Sequence, residues 1–394
     1  MISFHPPVRT LMGPGPSDVN PRILEAMSRP TIGHLDPEFI RLMDEIKELL
    51  QYAFKTRNAL TLPVSAPGSA GMEAAFVNLL QRGDKVIVCQ NGAFGGRMKE
   101  NVERCGGVAV MVMDEWGSAI DLDKVEDALK ANSDARVLAF VHAETSTGVR
   151  NDARALATLA RKHDCMTIMD AVTSLGGIEV DADGWGVDVI YSGSQKCLSC
   201  VPGLSPITFS ARAMDAIRNR STRVQSWFLD MNLIMDYWGG SSKRSYHHTA
   251  PINALYALHE ALMILQEESL ERAWERHALH HQALVTGLEA MGLSMRVAPT
   301  HRLPQLNAVN VPEGVDEAGV RATLLQLYGL EIGAGLGSLA GKVWRIGLMG
   351  FGCNQKNVLF CLSALEDTLL SVGAPVTVGR SLSAARGYYT QQSV

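Results

Sequence analysis

The chain reads as an α/β protein, with a mainly parallel sheet in a large domain and a smaller α+β domain at its C-terminal end. Three observations predict this. Short apolar, β-branched runs alternate with helix-patterned segments from Leu60 to Phe209. Charged or turn-forming residues follow the ends of those runs, where an open parallel sheet collects its ligands. After residue 250 the pattern changes to long helices with few strands. With 394 residues, 46% of them hydrophobic and 20% charged, the chain carries apolar material for more than one core.

The elements are justified in order. Gly13-Pro14-Gly15-Pro16-Ser17 suits neither a helix nor a central strand, so it ends an N-terminal arm over 1–20. Over 37–55, Phe39, Ile40, Met43, Ile46, Leu49, Leu50 and Ala53 recur at helical spacing. Strands are expected at 60–64, 85–89, 108–113, 137–142, 166–169, 187–191 and 206–209. Helices between them include 71–80, 122–131 and 153–163. A large domain over 21–268 then gives way to a small one over 269–373. The junction is a pair of long helices at 252–266 and 270–291, followed by strands at 308–311 and 343–348 and a helix at 355–372. Gly333-Ala334-Gly335-Leu336-Gly337 reads as a tight turn. The tail from 374 to 394 is polar and is assigned no structure.

Composition excludes several functions. A net charge of −5 leaves no basic excess for nucleic acid or an anionic membrane. The seven cysteines are odd in number and sit mostly in apolar runs, which fits reduced thiols in a cytoplasmic setting. Cys197-Leu198-Ser199-Cys200 has CxxC spacing but no second pair to complete a metal site. His247 and His248 are adjacent, and on an extended segment they should point to opposite faces rather than chelate one ion. No metal is expected. The N-terminus lacks the basic-then-apolar pattern of a secretory signal, and no apolar run is long enough to span a membrane.

Chemistry concentrates at strand ends. Lys196 follows one apolar run through Tyr191-Ser192-Gly193-Ser194-Gln195, and Asp170 ends another. An amine able to form a Schiff base, beside an acid able to hold a pyridinium nitrogen, is the equipment for pyridoxal phosphate. Pro67-Gly68-Ser69-Ala70-Gly71, a small-residue turn from strand to helix, can bring backbone N–H groups and a hydroxyl to a phosphate. Phe94, just past another strand, is either a cover for a planar ring or a core residue. His142-Ala143-Glu144-Thr145-Ser146-Thr147-Gly148 is either a hydroxyl-rich binding loop or plain turn chemistry. Arg345, inside the apolar run Val343-Trp344-Arg345-Ile346-Gly347, is either a clamp for a carboxylate or half of an internal ion pair.

Taken together, Gly13-Pro14-Gly15-Pro16-Ser17, Ser192-Gly193-Ser194-Gln195-Lys196, Tyr246-His247-His248-Thr249 and Gly341-Lys342-Val343-Trp344-Arg345-Ile346-Gly347 resemble the class V aminotransferases. The nearest branch in these motifs is the alanine–glyoxylate/serine–pyruvate one, and the resemblance runs from about Leu11 to Leu370. It implies fold type I of the pyridoxal-phosphate enzymes and a homodimer with active sites at the subunit interface. Lys196 would carry the cofactor and shuttle the substrate's α-proton, and Asp170 would hold the ring nitrogen. Phe94 would stack on the ring, in a position where the family often has tryptophan. Thr145 would reach the ring hydroxyl. Gln195, Gly68 and Ser69 would bind phosphate, joined by Tyr246 and Thr249 from the partner. Arg345 would take the substrate carboxylate, with Gly15 lining the pocket.

This chain departs from the family pattern at Pro67, at Ser69 (a frequent histidine), at Gly33-His34 and after the lysine at Cys197, Cys200 and Val201. The expected activity is transfer of an amino group from alanine or serine to glyoxylate or pyruvate. Ureidoglycine–glyoxylate, aspartate–glyoxylate and 3-hydroxykynurenine transamination are the alternatives within the family. A desulfurase-like lyase would need a mobile thiol, for which Cys353 is the candidate. A non-catalytic binding protein of the same fold would not need Lys196, Asp170 and Arg345 together.

Overall fold

Apolar runs such as Leu60–Val64 and Met166–Asp170 become strands of the large sheet in which every residue is buried, the first at its edge and the second at its centre. The computed structural model describes residues 1, 3–239 and 244–392. Its first strand is β1 (Thr10–Leu11), in the N-terminal arm. The large sheet begins with β2 (Leu60–Val64), β3 (Lys85–Gln90), β4 (Val108–Met113) and β5 (Ala135–Val141). A hairpin follows, β6 (Ala143–Glu144) and β7 (Val149–Arg150). The chain then returns to the large sheet through β8 (Met166–Asp170), β9 (Val189–Tyr191) and β10 (Ser205–Phe209).

These seven strands lie in the order β2-β10-β9-β8-β5-β3-β4, and β10 alone runs antiparallel to its neighbours. The register sets Val141 beside Asp170 and Asp170 beside Tyr191. Three strands therefore end at one level, and the chains leaving them converge on one place. The helix Gly68–Leu79 packs close over β9 and β10: a Cβ on Gly71 would lie 2.0 Å from Ser205 Oγ. Glycine there lets the helix N-terminus approach the strand ends.

The C-terminal part is built on β11 (Leu306–Asn310), β12 (Leu330–Glu331), β13 (Gly333–Ala334) and β14 (Val343–Gly347). β14 runs between β11 and β13, antiparallel to both, and places Arg345 beside Ala308 and Gly333. A second apolar core lies here, joining Leu284, Leu288, Trp344, Ile346, Leu362 and Leu365. Met12 of the arm belongs to it, and β1 pairs in parallel with β12. The arm is thus fastened to the smaller core before it reaches the large sheet. Among the described residues no helix is long and apolar enough to cross a membrane.

Three features differ from the sequence reading. Ala93–Arg104 is a helix, although Gly95 and Gly96 make its sequence a poor helix former; burial of Met98 and Val102 overrides that propensity. Gly333–Ala334 is a strand edge on β14 rather than part of a turn, and the tight turn falls just after it at Gly337–Leu339. The polar tail forms the helix Arg380–Gln392, which buries Ser381, Ala385 and Tyr389. Ser381 reaches the Glu366 carboxylate and Tyr389 Oη lies 2.8 Å from His280 Nδ1. Its inner side packs along the helix Leu270–Met291 and adds Ala385 and Tyr389 to the second core, burial that its polar composition does not show.

Candidate active site

Asp170 is the last residue of β8 and is buried. Its Oδ1 accepts from Val172 N at 2.8 Å and its Oδ2 from the fully buried Tyr191 hydroxyl at 2.8 Å. Those bonds hold the carboxylate in place. Burial still raises its pKa to about 6, against the pull of these donors and of Lys196 and Arg97. The sequence marks Tyr191 only as a strand residue, since a phenol ending an apolar run carries no sign that it will bond an acid.

Lys196 projects from the turn after β9 toward the N-terminal arm. Ser17 Oγ donates to the Lys196 carbonyl at 2.7 Å, and Ser17 N donates to Gln195 O at 3.0 Å. Lys196 Nζ itself donates to the Pro14 carbonyl. Gly15 has φ +99°, and a Cβ there would lie 2.6 Å from Nζ, so only glycine leaves the amine its place. Burial, and then Arg345, lower the Lys196 pKa to about 8. An amine with that pKa is partly neutral near physiological pH, as a nucleophile and proton carrier requires.

Arg345 approaches from β14 and is 7% exposed. Its Nε donates to Ala334 O at 2.6 Å and its Nη1 to Thr145 O at 3.2 Å. No carboxylate pairs with it among the described residues, so the internal ion pair weighed above is not formed. Burial lowers its pKa to about 10, opposed by the charge of Glu144.

Glu144 is a site residue that the sequence reading missed. It has no solvent exposure and accepts from Ser146 N at 3.0 Å, Ser146 Oγ at 2.6 Å and Phe94 N at 3.3 Å. Burial raises its pKa to about 7. It therefore ties the hairpin carrying Thr145 to the start of the Ala93–Arg104 helix. Phe94 is half-buried there, with the Arg97 guanidinium 4.7 Å from its ring centroid. The Thr145 hydroxyl meets that of Thr173 at 2.5 Å.

On the other side of Asp170, Gly68 opens its helix with no side-chain cap. A Cβ on Gly68 would meet Val172 Cγ2 at 3.3 Å and Ser192 O at 3.4 Å. Gln195 Oε1 is buried without a partner, and a Cβ on Gly193 would lie 2.9 Å from it. Ser69 is exposed at the same helix end. Free N–H groups and the Ser69 hydroxyl make an anion cradle, to which Gln195 can add a donor only through its amide NH₂, not through Oε1. The donor set fits pyridoxal phosphate: cradle, strand-end acid and partly neutral amine converge.

Two expected residues are not brought to this cluster within the chain. Tyr246 is 61% exposed, with its ring 5.1 Å from that of His34, and Thr249 is also exposed. His247 and His248 do not face apart as expected. Their Nδ1 atoms are 2.8 Å from each other, His247 stacks on Trp227 and His248 Nε2 lies 2.7 Å from Ser65 Oγ. Irregular backbone, not strand alternation, sets their directions. Cys197 and Cys200 are buried, with pKa values pushed up to about 12. Cys353 is 1% exposed and its pKa is also raised by burial, which suits packing rather than a mobile nucleophile.

Comparison with known proteins agrees with this geometry. The family model for aminotransferase class-V matches residues 21–350. The chain is 37% identical to the (S)-ureidoglycine–glyoxylate transaminase of Bacillus subtilis, over 97% of this chain and 96% of that protein. It is 40% identical to the alanine–glyoxylate aminotransferase of Oryctolagus cuniculus, over 92% and 93%. Among solved structures, the Bacillus subtilis ureidoglycine–glyoxylate aminotransferase superposes with a TM-score of 0.96 at 38% identity, covering 99% of this chain and 100% of that one. The alanine–glyoxylate aminotransferase of Nostoc sp. gives 0.92 at 45% identity, covering 94% and 97%. A cysteine desulfurase from Thermococcus onnurineus, at 13% identity and a TM-score of 0.73, shares the fold alone. The chain belongs to the class V aminotransferases and is a pyridoxal-phosphate-dependent transaminase of fold type I.

Proposed function

We propose that this transaminase moves an amino group from a small amino acid, alanine or serine, to a small 2-oxo acid, glyoxylate or pyruvate. The observation that carries the reading is Arg345: a buried guanidinium bonded only to carbonyls has bidentate capacity left for a substrate carboxylate. The names of the relatives support the small-substrate class, since both are glyoxylate transaminases. In this reading Arg345 fixes the carboxylate of donor and acceptor in turn. Pyridoxal phosphate, when bound, supplies the electron sink that makes the α-carbon acidic. Lys196 Nζ takes the α-proton and returns it, which its lowered pKa permits near neutrality. Asp170, held by Val172 and Tyr191, would offset the positive charge of the ring nitrogen with its carboxylate. Phe94 would cover the ring, Thr145 would bond its hydroxyl, and Gly68, Ser69 and Gln195 would take the phosphate.

The exposed Tyr246 and Thr249 fit a homodimer in which they complete the partner's phosphate site. A cytoplasmic setting is consistent with seven free cysteines. A donor-by-acceptor matrix tests the assignment: alanine or serine with glyoxylate or pyruvate should give the highest kcat/KM. Turnover confined to ureidoglycine, aspartate or a bulky aromatic donor would overturn it.

A further inference from the structure

Two hydroxyls of the site are paired in a way that leaves one hydrogen over. Thr145 Oγ1 and Thr173 Oγ1 lie 2.5 Å apart, and neither has another hydrogen-bond partner among the described residues. Each hydroxyl carries one hydrogen, and the bond between them uses one of the two. Thr173 has no solvent exposure, so its hydrogen has only Thr145 Oγ1 to go to. Thr145, 3% exposed, is then the acceptor of the pair. Its own hydrogen finds no acceptor in the chain. A buried hydroxyl that accepts without donating is half satisfied, and an oxygen from outside the chain completes it.

Both residues are held by other parts of the site. The Thr145 carbonyl accepts from Arg345 Nη1 at 3.2 Å. Thr173 lies three residues past Asp170, on a loop where Val172 N donates to Asp170 Oδ1 at 2.8 Å and Ala171 N donates to Tyr191 O at 2.8 Å. The Thr173 carbonyl accepts from the thiol of Cys197, the residue after Lys196, at 3.3 Å. One hydroxyl is thus tied to Arg345 and the other to the segments carrying Asp170 and Lys196. With both backbones fixed and both side chains β-branched, the bond between them keeps one direction.

We propose that Thr173 is a positioning residue of the transaminase: it donates to Thr145 Oγ1 and so commits the Thr145 hydrogen to the oxygen of the cofactor's ring hydroxyl. The inference rests on the reading above, in which Thr145 meets that oxygen. Alone, a threonine hydroxyl can donate to a ring oxygen or accept from it. Thr173 fixes the first role, which favours the ring oxygen in its anionic form. Thr173 itself is closed off and touches neither cofactor nor substrate, so it acts only through Thr145.

The test compares two compounds added to the cofactor-free, full-length protein: pyridoxal phosphate, and 3-deoxypyridoxal phosphate, which lacks the ring hydroxyl. Their affinities are read from absorbance. Thr173→Val keeps the side-chain shape and removes the hydroxyl. It should weaken pyridoxal phosphate by about three- to tenfold, the range for one hydrogen bond, and leave the 3-deoxy compound unchanged. Thr173→Ser, which restores the hydroxyl, should bind both as the wild type does. Thr145→Val should lose the same preference, and adding Thr173→Val to it should change the preference no further. If Thr173→Val does not fold, Thr173→Ala takes its place with the same expectation. Equal weakening of both compounds would make Thr173 a packing residue and overturn the proposal. A preference lost in Thr145→Val but kept in Thr173→Val would overturn the proposal alone. A preference kept in both would overturn it and also remove Thr145 from the ring hydroxyl. No amino donor enters the titration, so the choice of substrate is tested separately.

Discussion

Arg345 and Arg276 are both arginines drawn into the interior, and the fold treats them oppositely. Arg276, on the helix Leu270–Met291, meets Glu268 with two bonds of 2.5 and 2.8 Å and also donates to the Gly350 and Cys353 carbonyls. Burial pulls its pKa down, but Glu268 outweighs that and holds it above the ordinary arginine value. Arg345 has carbonyls and no acid, and its pKa falls to about 10. Lys196 belongs with Arg345, since its ammonium group finds only the Pro14 carbonyl. The fold can neutralise a buried cation, as it does at the helix junction. Where strand ends converge it leaves two cations without an acid paired to them, which fits a site that receives its anions from substrate and cofactor.

The largest effect should come from Lys196→Ala. It should abolish the visible absorbance of the lysine-bound cofactor and slow alanine turnover on the order of 10⁴-fold, the range for loss of a positioned acid–base group. An unchanged spectrum and rate would remove Lys196 from the chemistry.

Arg345→Ala and Arg276→Ala test the comparison itself. Arg345→Ala should lower kcat/KM for alanine by about 10²–10³-fold, as loss of a charged hydrogen-bonded pair does, and leave the melting temperature near that of the wild type. Arg276→Ala should do the reverse. It strands Glu268 beside a partly open cavity and should cost about 1–3 kcal/mol in denaturant unfolding, with donor kinetics little changed. If Arg345→Ala instead unfolds like Arg276→Ala, its role is structural.

Lys196 also makes a pH prediction. Because its folded pKa lies below the unfolded value, the cofactor-free protein holds the ammonium form at a cost below about pH 8. Lys196→Met should therefore be more stable than wild type at pH 7, by on the order of 3 kcal/mol. The gap should close between pH 8 and 10.5, where the unfolded chain binds the proton and the folded one does not. A gap independent of pH would mean that the amine is not desolvated.

The smallest effect should come from Glu144→Gln. Its amide NH₂ would face one of the donors, Ser146 or Phe94, at a cost of about 1–2 kcal/mol. Near pH 7 the effect should be at the low end, because burial already brings Glu144 close to neutrality. Chemical denaturation of the variant across pH 6–8 checks it.

How much of this was legible in the chain depends on whether a residue broke its local pattern. Asp170 and Arg345 are charges at or inside apolar runs, where a charge is conspicuous, and Lys196 follows such a run through a short small-residue turn. Gly68 was a weaker signal, because a strand-to-helix turn of small residues serves close packing, as at Gly71, as readily as it serves an anion. Glu144 and Tyr191 did not stand out. An acid in a hydroxyl-rich turn resembles surface turn chemistry, and a tyrosine ends an apolar run without comment. Their roles exist only because Val141, Asp170 and Tyr191 end at one level in the sheet. The helices Ala93–Arg104 and Arg380–Gln392 were hidden for a related reason: burial of a few side chains, not local propensity, stabilises them. Tyr246 and Thr249 were named by resemblance alone, and a single chain gives them no phosphate site to complete.

The claim that Arg345 is kept open for a substrate carboxylate is tested most directly by comparing alanine with ethylamine, which lacks that carboxylate. The ratio of kcat/KM values should be large in the wild type and fall at least a hundredfold in Arg345→Ala, because only alanine uses the guanidinium. A ratio unchanged by the substitution would place the carboxylate elsewhere and contradict the account.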